Sequence, residues 1–299
     1  MMKYNVLNYK QMKKTTLIVS LLIISCSYSA KGQDTITSYF NHKWKKCGEE
    51  LAVYYRKVYP DSSGMWIMED YHMNGQLQML GQYSDKKLKK QQGWSTFYHF
   101  NGNVSALGQY LDNKRVGIWK KYYTSGGLAA EGKMLNDKQD STWIYYHING
   151  PIFGERNYVK GKAEGESRWY YESGKISEIA VYKQGEITRK INYDEEGNII
   201  KTVKEDSEPE FDTMYLFIRN NLKYPEELRL KGKQGVVMFH FIVRKDGSID
   251  NVEYKKSDEP LFNEEALRVF DVFKRIKPAY QHGQIMDREC TMPIIFRLQ

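Results

Sequence analysis

Residues Gly117-Ile-Trp119-Lys-Lys-Tyr122-Tyr123-Thr-Ser-Gly126 hold the pattern on which the fold turns: a glycine, an aromatic-rich extended run, then a second glycine. The run returns as Trp94-Ser-Thr-Phe97-Tyr98-His-Phe-Asn101-Gly102, as Trp143-Ile-Tyr145-Tyr146-His-Ile-Asn149-Gly150 and as Trp169-Tyr170-Tyr171-Glu-Ser-Gly174. Trp66 to Gly75 is an earlier copy, and Ile191 to Gly197 a degenerate last one. Turn residues keep stricter time than the tryptophans. Gly102, Asn113, Gly126, Asp137, Gly150, Gly161, Gly174, Gly185 and Gly197 follow at steps of 11, 13, 11, 13, 11, 13, 11 and 12. Two turns in each period of about 24 residues imply two strands per repeat. Asn-Gly and Ser-Gly supply the positive φ of hairpin loops, and the arms are rich in Tyr, Trp, Phe, Ile and Val, which suit a pleated, half-exposed surface. Residues 50–203 are therefore expected to form an up-and-down β-meander, because helical repeats need longer elements and a 3.6-residue period.

Composition agrees with thin, half-buried strands. Aromatic residues make up 14% of the 299 residues while mean hydropathy is −0.67, so large side chains must share a chain that mostly faces water. With 41% apolar residues and 7 Pro, collagen-like and wholly disordered classes are excluded. The net charge of +8 divides into +5 over residues 1–33, +5 over 34–204 and −2 over 205–299. That spread argues against a nucleic-acid partner, which needs Lys and Arg gathered on one face.

Thr15 to Cys26, TTLIVSLLIISC, is an uncharged apolar run behind Lys10, Lys13 and Lys14, the n-region and h-region of a secretion signal spanning residues 1–32. Three exits stay open: cleavage after Ala30-Lys31-Gly32, acylation of Cys26 within Ile23-Ile24-Ser25-Cys26, or retention as an uncleaved anchor. Each takes the body of the chain to the periplasm or cell envelope, where disulfides persist. Cys47 and Cys290 stand about 240 residues apart. Either they bridge, or they are two isolated small hydrophobes.

Catalytic chemistry is not expected. His72, His99 and His147 each precede the Asn of an Asn-Gly turn by two residues, so they are one repeat position seen three times. Copies two strands apart lie roughly 10 Å from each other, whereas ligands of one zinc ion come within about 2 Å of it. Ser84-Asp-Lys-Lys87 matches Ser-x-x-Lys by chance, in a loop without the rest of that catalytic set. No enzyme, metal or cofactor is expected. Lys86, Lys87, Lys89 and Lys90 read as a solvated charge run in an expanded turn.

Beyond residue 204 the period changes. An acidic linker over 204–210 leads into a domain over 211–299. Met214, Phe217, Ile218 and Leu222 space as one helical face, and Pro225 opens a short second helix to Lys231. Val236 to Val243 reads as a buried strand, Asp246-Gly247 as a turn and Ile249 to Lys255 as the return strand. Asn263 to Arg275 is expected as an amphipathic helix and Thr291 to Leu298 as a third strand. The fold class is thus mainly β, a hairpin-repeat meander, followed by α+β, a three-stranded antiparallel sheet with two to three helices. Pro293 has no N–H for a ladder, so the last strand is expected at an edge, where unpaired backbone groups can receive an extended peptide.

Two resemblances follow from these residues. The Gly-x-Trp-x-x-Tyr-Tyr-x-x-Gly core resembles the MORN repeat variants of bacterial envelope proteins, which implies contacts with membranes or proteins; the ligand of the repeats is not named by any residue pattern. Asn221-Leu-Lys-Tyr224-Pro225, Gly235-Val-Val-Met-Phe-His-Phe241, Asp246-Gly247-Ser-Ile-Asp-Asn-Val252, Asn263-Glu-Glu-Ala266-Leu, Lys277-Pro278-Ala279 with Gly283, and Pro293-Ile294-x-Phe296-x-Leu298 resemble the C-terminal domain of TonB energy transducers. That resemblance implies capture of a peptide segment of an outer-membrane TonB-dependent receptor at the last strand. Thr291, Pro293, Ile295 and Arg297 would lie along the edge, with Tyr224 and Pro225 shaping the site. It further implies coupling to an inner-membrane proton-channel motor complex and to energy-driven transport. The alternative is a periplasmic or lipid-anchored interaction scaffold that binds without energy coupling.

Overall fold

The computed structural model describes residues 35–201, 204–255, 257 and 259–298, in two compact units. Cys26 and the rest of the secretion-signal segment lie outside the described residues. In the first unit, β1 (Ile36–Phe40), β2 (Lys46–Cys47), β3 (Tyr54–Pro60), β4 (Trp66–His72), β5 (Leu77–Tyr83) and β6 (Gln91–Tyr98) form an antiparallel sheet in the order β6-β5-β4-β3-β1-β2. The sheet thus begins before residue 50, with β1 and β2 added at its rim. Val58, Met68 and Tyr83 make its core. Two buried acids are paired: Asp70 takes both arms of the Arg56 guanidinium at 2.6 and 2.8 Å, and Glu69 accepts the hydroxyls of Tyr59 and Tyr71 at 2.9 Å each. Burial and the Glu69 carboxylate both push these two phenols up.

After β7 (Val104–Leu111), the second unit carries β8 (Lys114–Tyr122), β9 (Leu128–Leu135), β10 (Lys138–Tyr146), β11 (Ile152–Val159), β12 (Lys162–Ala163), β13 (Gly165–Tyr170), β14 (Ile176–Lys183) and β15 (Glu186–Asn192). Their order is that of an antiparallel meander, β15-β14-β13-β11-β10-β9-β8, with β12 on β11. All nine turn residues that set the repeat clock have φ between 67° and 111°, the left-handed region that Gly and Asn enter at little cost.

The aromatic ladder has a geometric reason. Each tryptophan of this unit lies on a glycine of the preceding strand. A Cβ added at Gly108 would fall 2.3 Å from the Trp119 ring, at Gly132 2.5 Å from Trp143, and at Gly154 2.1 Å from Trp169. A second ladder uses the position just before each turn. His99 Nε2 contacts Tyr122 O at 2.9 Å and His147 Nε2 contacts Tyr170 O at 2.9 Å. At the same position in the alternate copies, the Tyr123 hydroxyl donates to Tyr146 O at 2.6 Å and the Tyr171 hydroxyl to Tyr193 O at 2.7 Å. This repeat position therefore staples each copy to the next through a backbone carbonyl.

Trp94 is out of phase with the other tryptophans. Ser95, not Trp94, sits opposite Gly81, and Ser95 is buried while Trp94 is 41% exposed. The register shifts between Gly81 and Tyr83, beside a left-handed Gly93, and a one-residue slip turns every side chain to the other face.

The rest of the second unit is α1 (Asp212–Asn221), α2 (Glu226–Leu230), β16 (Gly235–Val243), β17 (Ile249–Lys255), α3 (Pro260–Phe270), the hairpin β18 (Ala279–Gln281) and β19 (Gln284–Met286), and β20 (Arg288–Phe296). Its sheet runs β17-β16-β20. Val237, Phe239, Phe241 and Val243 alternate into a core closed by Phe262, Ala266, Val269 and Phe270 of α3, the i, i+4, i+7, i+8 face of a helix. Phe239 stacks on Phe270 at 4.1 Å and Phe262 on Phe296 at 4.3 Å. Two expected boundaries are corrected. The last strand is Arg288–Phe296 rather than 291–298, so Arg297 and Leu298 follow it. The last helix is Pro260–Phe270 rather than 263–275, because residues 274–276 peel away to hydrogen-bond with Gly247 and Ile249 and thereby bury Ile276.

Cys47 and Cys290, in different units, are both free thiols. Cys290 faces the core, and burial pushes its thiol up to about 11.

Candidate partner-binding edge and its seat on the repeats

Among the described residues β20 pairs with β16 alone, in a register that runs without a shift from Gly235 opposite Phe296 to Val243 opposite Arg288. Met238 stands opposite Pro293 within that run. In an antiparallel pair, successive residues direct their N–H and C=O groups alternately to the partner and away from it. A ladder unbroken through Pro293 therefore requires the proline nitrogen to face the free side. Thr291 and Ile295, two residues on either side, then direct their N–H groups outward as well. Side chains obey the same alternation: Cys290, Met292, Ile294 and Phe296 are buried, whereas Thr291, Pro293 and Ile295 are exposed. One strand thus supplies core with one face and an open backbone edge with its margin.

Tyr224 reaches this strand through the core. Its ring meets Phe296 edge-on at 5.9 Å and Phe262 at 5.5 Å, and its hydroxyl donates to Lys233 O. Pro225 is the N-cap of α2. Lys223, just before them, is tied to α3 by its N–H to Glu265 Oε1 at 2.5 Å. Tyr224 thus lies beside Phe296 at one end of the sheet, whereas Thr291 stands opposite His240 with its Oγ1 3.1 Å from His240 Nδ1; Pro293 and Ile295 lie between them, and Arg297 beyond the end of β20.

The other end of the same sheet is seated on the repeat turns. Phe100 stacks on His240 at 4.5 Å, Thr124 donates its N–H to Glu289 Oε1 at 2.7 Å, and Lys245 pairs with Glu172 at 2.7 Å. Burial pushes Glu289 up and His240 down. Alongside, the β18–β19 hairpin inserts its tip into the array. The His282 ring stacks on Trp169 at 3.6 Å, nearly parallel to it, and its Nδ1 lies 2.9 Å from Glu178 Oε1. Glu178 is fully buried and has two further partners, Lys190 at 2.9 Å and Asn192 at 3.1 Å. Burial alone would raise this carboxyl, but the His282, Lys190 and Asn192 contacts hold it at about 2. Gln284, also buried, donates to Tyr170 O and Ser177 Oγ at 3.0 Å each. Ala279 and Met286 complete a small core with Phe153 and Trp169.

None of His240, Glu289, Glu178 or His282 stood out in the sequence. The one available signal was the dipeptide His282-Gly283, whose φ angles of 51° and 81° make the tight turn that such pairs favour. Among the described residues no group of His, Cys, Asp or Glu is placed to hold a metal ion, and no helix is long and apolar enough to cross a membrane.

Comparison with known proteins places names on both parts. Residues 220–298 match the family described as Gram-negative bacterial TonB protein C-terminal, and residues 115–136 and 163–184 match the MORN repeat variant family. The solution structure of the Helicobacter pylori TonB C-terminal domain aligns at 21% identity over 29% of this chain and 78% of that one, with a TM-score of 0.23. No curated protein matches the chain. The chain thus carries a TonB-type C-terminal domain behind MORN-type repeats, and neither is a catalytic module.

Proposed function

We propose that this is an exported cell-envelope protein that captures an extended peptide segment of an outer-membrane TonB-dependent receptor, or of a related partner, by strand addition at β20. The observation that carries the reading is the shift-free ladder through Pro293, which leaves the outer backbone of Thr291 and Ile295 directed away from the sheet. Main-chain pairing supplies affinity, and exposed Pro293 and Ile295 offer apolar neighbours to alternate side chains of the guest. The test is a pair of prolines in the full chain, read by binding of receptor peptides. Ile295→Pro removes an outward N–H and leaves the β16 ladder whole, so binding is expected to fall at least tenfold with the fold retained. Ile294→Pro removes an inward N–H and is expected to cost folding as well. A folded Ile295→Pro protein that binds as tightly as its parent refutes strand addition here, and Arg297→Ala is expected to bind within about twofold of the parent, since a side chain beyond β20 adds no main-chain pairing.

Energy coupling through an inner-membrane motor is the fuller form of this reading. The scaffold form, periplasmic or lipid-anchored and without coupling, is favoured by the acidic segment. Ser207 and Glu210 hydrogen-bond with Tyr280 and Lys277, so these residues do not serve as a loose spacer. Mass spectrometry of the mature N-terminus separates the two: an intact N-terminus that cofractionates with the motor supports coupling, and a chain starting at Gln33 or acylated at Cys26 supports the scaffold.

A further inference from the structure

We infer that the TonB-type domain and the last repeats form one cooperative body, with the β18–β19 hairpin as the fastener and residues 204–210 as a brace rather than a hinge. This holds whatever β20 captures.

A hinge needs a backbone free of fixed partners, and this segment has them at two positions. Ser207 and Tyr280 exchange N–H to carbonyl bonds at 2.7 and 2.9 Å, and Glu210 N–H reaches Lys277 O at 3.1 Å. Three of the four acids that make the segment look like a soluble spacer have a partner. Asp206 accepts the His282 N–H at 3.0 Å, Glu208 takes Arg288 at 2.7 Å, and Glu210 takes Lys277 at 2.8 Å.

The hairpin contact is closed in shape as well as in charge. A Cβ at Gly283 would fall 2.7 Å from Asn192 Nδ2 and 3.2 Å from Ser177 O, so the tip lies directly on strand backbone. Withdrawing it would uncover Phe153, Trp169, Ala279 and Met286 together and strip one hydrogen-bonding partner from the buried Glu178 carboxylate, a loss that a buried acceptor tolerates poorly. Apolar burial and hydrogen bonding at one place make partial opening costly, which is the condition for two elements to open together. Load applied at β20 would then pass into the array through Glu289–Thr124 and His282–Trp169. The reach of the edge would be set by the number of repeats, each adding two strands or roughly 10 Å.

The test is amide hydrogen exchange on the full chain and its His282→Asn variant. Asn accepts the left-handed turn conformation but loses the ring over Trp169. In the parent, the amides of Ser207, Glu210 and Tyr280 are expected to exchange at least tenfold more slowly than solvated loops. In His282→Asn, protection over 204–210 and 279–286 is expected to fall at least tenfold. Should that variant not fold, Gln284→Ala, which removes only the bonds to Tyr170 and Ser177, carries the same expectation. Unprotected amides at 207, 210 and 280 in the parent, or protection unchanged in the folded variant, would overturn the inference.

Discussion

Adding one methyl group at Gly132 tests whether the tryptophan ladder rests on glycine or merely lies near it. Gly132 has an ordinary backbone conformation, and its new Cβ would sit 2.5 Å from Cγ and Cδ2 of Trp143 and 2.6 Å from Cδ1. The indole has little room to retreat: Trp143 is 1% exposed and donates Nε1–H to Lys133 O at 2.9 Å. Overpacking of this kind costs about 1–3 kcal/mol, and moving the ring would add about 1 kcal/mol for the indole hydrogen bond. Against this, Gly→Ala stiffens the unfolded chain by about 0.4–1 kcal/mol. A net loss of about 1–3 kcal/mol is expected for Gly132→Ala. Gly127→Ala is the matched control, five residues before Gly132 and also free of positive φ. Its Cβ would meet nothing nearer than 3.7 Å, so only the unfolded-chain effect acts and stability should hold or rise by about 0.4–1 kcal/mol. Thermal melts followed by tryptophan fluorescence separate the two by several degrees, at about 2–4 °C per kcal/mol for a body of this size. Equal melting temperatures, or a lower one for Gly127→Ala, would refute the claim that the glycines exist to seat the rings.

Acid should weaken the second unit through its buried histidines. Burial holds His147 and His240 below the ordinary histidine value, so the unfolded chain takes up protons first. Their contribution is full above about pH 6.5 and is lost as pH falls through the depressed native values. Melting temperature should drop between pH 7 and 5, His147→Gln should flatten that slope, and a flat or rising parent profile would contradict the assignment. Glu178 acts lower, its share lost only as pH falls from its unfolded value near 4.5 toward about 2. Cys290, buried with its thiol pushed up to about 11, should stay unmodified by an alkylating reagent at pH 8 until the protein is unfolded. Labelling in the native state would show that its site opens.

Periodic and local chemistry was legible in this chain, and contact between distant elements was not. The turn clock needed only Gly, Asn and Asp at steps of 11 to 13, and those residues do take the left-handed backbone that makes a hairpin. Pro293 marked its strand as an edge because a missing N–H is a property of one residue. The histidine position was recognised as a repeat feature, but its use was not, since the receiving group is a main-chain carbonyl 23 residues away that no side chain advertises. Trp94 misled for a related reason: the residue type recurs, but the register that decides its face depends on where the strand shifts against Gly81. The acidic segment shows the same limit most plainly. Glu205-Asp-Ser-Glu-Pro-Glu has the composition of a solvated spacer, and what turns it into a brace is the set of partners at His282, Arg288 and Lys277, some 70 to 80 residues downstream. Composition reports what a segment could do alone in water, and pairing decides whether it is left alone. For this protein the difference separates a domain that swings from one whose open edge is held fast to the repeats.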